Sequence, residues 1–391
     1  MQKLILIFSL FLIVHISVAQ DSGIQFSEGN WETMLKKASE EKKIIFVDAY
    51  TTWCGPCKKM AKDVFTKPDV GAYYNDQFIN AKIDMEKGEG ILFARAYGVN
   101  AYPTLLFIDQ RGNMVHKALG YRSADAFVQL GKSASDPNMS IGGLTEKFKS
   151  GNREPEFLNH YAITLSEARH KDAGTAVKAY LETQNDWLSG DLPEFIFNYS
   201  DDDPNSKLVQ YILDNRQVFE EKVGQDKLDN KLAYIALRTV DRKERSDRDV
   251  LVSAYTTFFP ERGTQMADRY LLQNLARRKD DAGINDFFKA AKAYVSSYKV
   301  DDWQLLNSIA WHAYEITDDK DHLKHAKKWA KTSTELYSSY YNYDTLAAIC
   351  YKLAEKADGV KYAEKAIALA KETGSEAEET QALLIKLQAL D

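Results

Sequence analysis

An α/β domain followed by an all-α helical-repeat domain is the fold class this sequence predicts. Short β-rich runs alternate with helix-like segments over residues 24–135. Beyond residue 140, proline and glycine become sparse and helical periodicity runs to the C-terminus. The third observation is self-similarity at an offset of 37 residues. Leu306–Ala310 answers Tyr343–Ala347, and His325–Ala330 answers Tyr362–Ile367.

The elements follow in order. Met1–Lys3 gives a short positive start, Leu4–Val14 is apolar, and Ser17-Val18-Ala19 fits a small-x-small cleavage site. Residues 1–19 are therefore expected to be a signal peptide, and the run is short for a membrane span. No cysteine follows the cleavage site, so a lipid anchor is not indicated. Trp31–Glu41 has helical spacing, and Lys43–Tyr50 is a buried strand. Cys57–Phe65 reads as a helix, and Phe78–Asp84 as a second strand. Ile91–Tyr97 is a helix stopped by Gly98. Thr104–Ile108 is a third strand, Asp109–Asn113 a turn, and Met114–Ala118 pairs back as a hairpin. Ala124–Leu130 closes this part with a helix, and Ser133–Asn138 reads as a linker. Residues 24–135 and 140–391 are thus expected to be separate domains. Small residues at helix contacts with aromatics beside them resemble tetratricopeptide helix pairs. Phe157–Tyr180 fits the same style less clearly.

The chain is 45% apolar with a net charge of −6. It is expected to be globular, and with no basic patch it is not expected to bind nucleic acid. It has three cysteines, Cys54, Cys57 and Cys350. An exported domain that used disulfides as staples would carry more.

Cys54-Gly55-Pro56-Cys57 follows a strand and opens a helix. A helix N-terminus presents unpaired N–H groups and a partial positive charge, which stabilise a thiolate at Cys54. Cys57 lies one turn on, and Gly55 and Pro56 shape the connection. Cys54 can then attack a substrate disulfide and Cys57 resolve the mixed disulfide. A zinc site would need a second pair of ligands. Cys350 is alone, and His322 and His325 sit in a charged stretch that reads as a solvated face. A structural bridge enclosing two residues would remove little unfolded-state entropy. No metal and no cofactor is implied. Cys350, in an apolar helical stretch, reads as a small buried hydrophobe.

Phe46–Lys58 resembles the active-site stretch of thioredoxins, and Val99–Thr104 resembles their cis-proline loop. Val64–Val70 is similar to the group that includes the C-terminal domain of the DsbD transporter. The resemblance covers residues 24–135 and implies a thioredoxin fold, a central mixed sheet with flanking helices. It implies Cys54 as attacking thiol, Cys57 as resolving thiol and Asp48 as a buried carboxylate passing protons to and from Cys57. The lysine that often accompanies this carboxylate falls at Asn80, with Lys82 two residues on. Pro103 would be cis, the backbone of Tyr102 would bond an extended substrate segment, and Trp53 and Tyr102 would offer apolar contact. The expected activity is reduction or isomerisation of disulfides in exported proteins. The protein is expected to be periplasmic in a Gram-negative bacterium and secreted otherwise, with a membrane thiol–electron transporter as reductant. The alternative is a protein-binding adaptor, with the helical repeats holding a partner and the thioredoxin-like part as a docking platform.

Overall fold

The computed structural model describes residues 23–278 and 280–391. The expected signal peptide lies outside the described residues. The described chain divides into two compact units, one up to Asp201 and one from Asp202 onward.

The first unit opens with α1 (Trp31–Glu41), β1 (Ile44–Tyr50), α2 (Gly55–Asp63), α3 (Pro68–Gln77) and β2 (Phe78–Asp84). There follow α4 (Gly90–Ala96), β3 (Thr104–Ile108), β4 (Met114–Leu119) and α5 (Ala124–Ser135). Four more helices complete it: α6 (Ile141–Lys149), α7 (Pro155–Glu167), α8 (Ala173–Leu181) and α9 (Leu192–Tyr199). The strand order is β2-β1-β3-β4. β1 runs parallel to β2 and antiparallel to β3, and β3 is antiparallel to β4. The sheet is therefore mixed.

Alternation of side chains across the strands gives the sheet two apolar faces. Ile45, Val47 and Ala49 join Met34 and Ala38 of α1 and Phe93 of α4 on one. Phe46, Phe78, Leu105 and Phe107 join Met60 of α2, Tyr74 of α3 and Phe127 of α5 on the other. Tyr74 and Phe127 stack with ring centroids 4.1 Å apart, and the Tyr74 hydroxyl donates to the Phe127 carbonyl.

The sequence reading differs from the structure in two places here. It has no helix over Pro68–Gln77, although Pro68 at the first turn and Asp69 beside it are helix-start signals. It also places a linker from Ser133, whereas α5 runs through Ser135 with Ala134 buried in the core. Residues 136–140 form a short connection. The Asp136 carboxylate accepts from the Asn138 N–H, and Ser140 caps α6. α6 then packs on β4, where His116 Nδ1 accepts from the Ile141 N–H at 3.2 Å.

The second unit is helical throughout its regular structure. Its helices are α10 (Lys207–Asp214), α11 (Arg216–Val223), α12 (Gln225–Arg238), α13 (Arg248–Phe258), α14 (Gly263–Leu275) and α15 (Asp281–Ser297). They continue with α16 (Trp303–Ile316), α17 (Lys320–Leu336), α18 (Tyr340–Leu353), α19 (Lys356–Thr373) and α20 (Glu378–Gln388). Sequence neighbours pack on each other from α10 to α20. The 37-residue offset carries α16 onto α18 and α17 onto α19. Ala310 and Ala347 are equivalent and fully buried, as are Ala326 and Ala363.

His322 is not on a solvated face. It is half-buried, stacked on Phe288 of α15 at 3.8 Å between centroids, because α17 turns this side toward its neighbour. His325 is also half-buried, beside Trp329. Cys350 is a free cysteine, fully buried in α18, and burial pushes its thiol up to about 12.

Candidate active site

β1 and β2 are parallel, so their C-terminal ends lie together, with Tyr50 opposite Asp84. The chain leaves β1 through Thr51–Trp53 and enters α2, for which Cys54 is the N-cap in an extended conformation. Its Sγ accepts from the Cys57 backbone N–H at 3.1 Å. Cys54 and Cys57 are joined as a disulfide, both nearly buried. Pro56 sits in the first turn, where its missing N–H costs nothing. Gly55 is exposed, with open space at its Cβ position. A helix N-terminus carries partial positive charge, so this position favours a thiolate at Cys54 when the pair is reduced.

Asp48 lies on the β1 face shared with Phe46, the face covered by α2. It is 1% exposed. Neither carboxyl oxygen has a hydrogen-bond partner among the described residues. Lys82 stands directly opposite in the β1–β2 register, with Nζ 3.8 Å from Asp48 Oδ2. That is an ion-pair distance, too long for a hydrogen bond. Burial raises the Asp48 carboxyl to about 6, and the Lys82 charge opposes the rise only in part. The Lys82 ammonium also lies 4.7 Å from the centre of the Tyr50 ring. Asn80, at the position where the resemblance implies a lysine, is buried and donates instead to the Tyr74 carbonyl and the Asn75 side chain.

The Tyr102–Pro103 peptide bond is cis. Tyr102 meets Trp53 edge-on at 5.8 Å between ring centroids. Trp53 is 64% exposed, which excludes core packing as its role. Its indole Nε1 donates to both carboxylate oxygens of Glu86 at 3.0 Å. Burial first, then the Glu86 and Asp84 charges, raise the Tyr102 hydroxyl above its ordinary value. The structure thus gathers Trp53, Tyr102 and Pro103 beside one another and sets Asp48 under the helix that carries Cys57.

Sequence reasoning missed Glu86. Nothing local marks it. The available signal is topological, since a parallel β1–β2 pair puts the residues after Asp84 at the same sheet end as Trp53.

The family profile described as a thioredoxin-like domain matches residues 31–135. Thioredoxin H4 of Arabidopsis thaliana is 31% identical over 102 residues, covering 26% of this chain and 81% of that protein. This chain belongs to the thioredoxin-like family. Protein disulfide-isomerase 1 of Dictyostelium discoideum is 26% identical over 141 residues, 36% of this chain, and the match spans only 38% of that relative. The solution structure of a candidate disulphide-isomerase from Bacteroides thetaiotaomicron is 45% identical. It covers 29% of this chain and 95% of that one, with a TM-score of 0.28. The thioredoxin-like domain, the thioredoxin and protein disulfide-isomerase sequence relatives and the Cys54–Cys57 pair support a thiol–disulfide oxidoreductase.

Proposed function

We propose that the protein is an exported enzyme that reduces or isomerises disulfides of extracytoplasmic proteins through a Cys54/Cys57 dithiol–disulfide cycle. One observation carries the reading: Cys54 caps α2 with its sulfur in the path of a helix N–H and is bonded to Cys57 one turn on. In the reduced protein the Cys54 thiolate attacks a client disulfide, and one client thiolate leaves. Cys57 gives its proton to the Asp48 carboxylate and attacks the Cys54 sulfur. The second client sulfur leaves as a thiolate and takes the proton held by Asp48, while solvent protonates the first client thiolate. The client disulfide is reduced to two thiols while Cys54 and Cys57 are oxidised to a disulfide. An external dithiol returns the pair to its reduced form, and a membrane thiol–electron transporter fits that role.

Asp48, raised to about 6 by burial, is poised to exchange a proton near neutral pH. The backbone of Tyr102, before cis Pro103, takes an extended client segment by strand addition. Exposed Trp53 gives that segment apolar contact. Export rests on the expected signal segment over residues 1–19 and makes the location periplasmic in a Gram-negative host. The helices from residue 140 onward act as a tetratricopeptide-like scaffold for clients, a reading supported by the 37-residue repeat and its equivalent buried alanines.

Insulin reduction by the purified protein, driven by a small dithiol, tests the reading. Wild type is expected to precipitate insulin chains faster than the dithiol alone, and Cys54→Ser to give no acceleration. Equal rates for the two proteins would overturn it.

A further inference from the structure

We propose that the exposed face of α2 is a docking surface for acidic, disulfide-bearing segments of client proteins, an inference that rests on the thiol–disulfide reading above. α2 turns Cys57 and Met60 inward and leaves Gly55, Lys58, Lys59 and Lys62 exposed. At 100° per residue these four share one stripe. The stripe begins at Gly55, between the two cysteines, so the positive charge runs away from the reactive pair along the helix. Lys59 extends it sideways: its Nζ lies 5.0 Å from the centre of the Tyr121 ring, and Arg122 follows Tyr121. Among the described residues, none of Lys58, Lys59, Lys62 or Arg122 stands in an ion pair. Asp63, one turn beyond Lys59, forms none with it either.

This arrangement brings like charges together along the helix. Lys58 and Lys59 lie beyond the first turn of α2, which holds no acidic residue, and Lys62 sits in its last turn, where the helix end favours a cation. Lys62 lies three and four residues from Lys59 and Lys58, where like charges repel. A stripe of cations without ion-pair partners, set beside a redox pair, matches a negatively charged occupant. The other flank of the site has the opposite character. Glu86 is held on Trp53, and Asp84 pairs with Lys87 at 3.4 Å. A client segment therefore meets a charge gradient across the cysteines, with its acidic side favoured over α2.

The rival role for these lysines is to stabilise the Cys54 thiolate, which would raise or lower every client's rate alike. A ratio of rates separates the two. Two disulfide-linked peptides are compared as substrates of the full chain, identical except for glutamates or lysines flanking the cysteine. Wild type is expected to favour the glutamate peptide in kcat/KM by about 10-fold at low ionic strength. The preference should shrink toward unity as salt shortens the screening length. A triple variant with Lys58→Gln, Lys59→Gln and Lys62→Gln is expected to bring the low-salt ratio to near one, and glutamates at the same positions to invert it. A wild-type ratio of one, or a triple variant that changes both rates equally and keeps the ratio, would overturn the proposal. Failure of wild type to reduce either peptide would instead overturn the thiol–disulfide reading beneath it.

Discussion

A carboxyl group that is 1% exposed, with its nearest cation 3.8 Å away, is costly to ionise. The sign of that cost is measurable. The Asp48 carboxyl is raised from 3.8 to about 6, so between these values the folded chain holds a proton that the unfolded chain has lost. Stability therefore falls as pH rises from about 4 through about 6, and stays lower above. A shift of this size corresponds to about 3 kcal/mol at neutral pH. Asp48→Asn is expected to remove this slope and melt higher than wild type at pH 7, while slowing disulfide turnover through loss of the relay. Melting curves across pH, beside turnover, check both effects. Wild-type turnover with wild-type melting would remove Asp48 from the mechanism. Burial of Asp48 was legible in its apolar neighbours, and Lys82 was a candidate partner that the strand pattern alone left open. Lys82 shares a strand face with Asn80, and only the register shows that Lys82 stands opposite Asp48. Cys350 makes a second residue-scale prediction. Its buried thiol, pushed up to about 12, should resist alkylation at pH 8 in the folded, reduced protein and react only on unfolding. Mass spectrometry of the labelled peptides counts the sites, and rapid labelling of Cys350 in the folded chain would contradict its placement.

At the scale of elements, the turn from β2 into α4 is what brings Glu86 to Trp53. Gly90 closes that turn, and a Cβ there would lie 2.0 Å from the Asp84 carbonyl oxygen. Backbone would have to move to admit it. Gly90→Ala is expected to destabilise by about 1–3 kcal/mol and to disturb the Trp53–Glu86 contact. Thermal melting with tryptophan fluorescence reads both, and an unshifted melt would show that the turn adapts freely. The four strands were readable because β-rich apolar runs sit between turn residues at close spacing. α3 was not, since the apolar pattern of Pro68–Gln77 is weak. Only Val70, Gly71 and Tyr74 are buried there, and Tyr74 earns its place through long-range stacking on Phe127. The end of α5 was misread for a related reason: Ser133–Ser135 has linker composition, but Ala134 fills a core position that tertiary packing supplies.

At the scale of the molecule, the α/β domain does not end cleanly at its last sheet-covering helix. α6 lies on β4, with the Ile141 N–H bonded to buried His116. Burial lowers the His116 imidazole to about 4, so the unfolded chain binds its proton first as pH falls. The stability from this contact is present above about 6.5 and is lost progressively toward about 4. A chain ending at Asp201 is therefore expected to melt cooperatively and keep dithiol activity, whereas one ending at Ser135 should melt lower, having lost the cover of β4. Equal melting of the two would show that α6 contributes nothing to the first unit. The central claim concerns the cysteines, and trapping tests it most directly. Cys57→Ser keeps the attacking thiol and removes its resolver, so it should accumulate mixed disulfides with client proteins, visible on non-reducing gels and mapped by mass spectrometry to Cys54. Cys54→Ser should trap none. Equal trapping by the two variants, or adducts mapped to Cys350, would contradict the account.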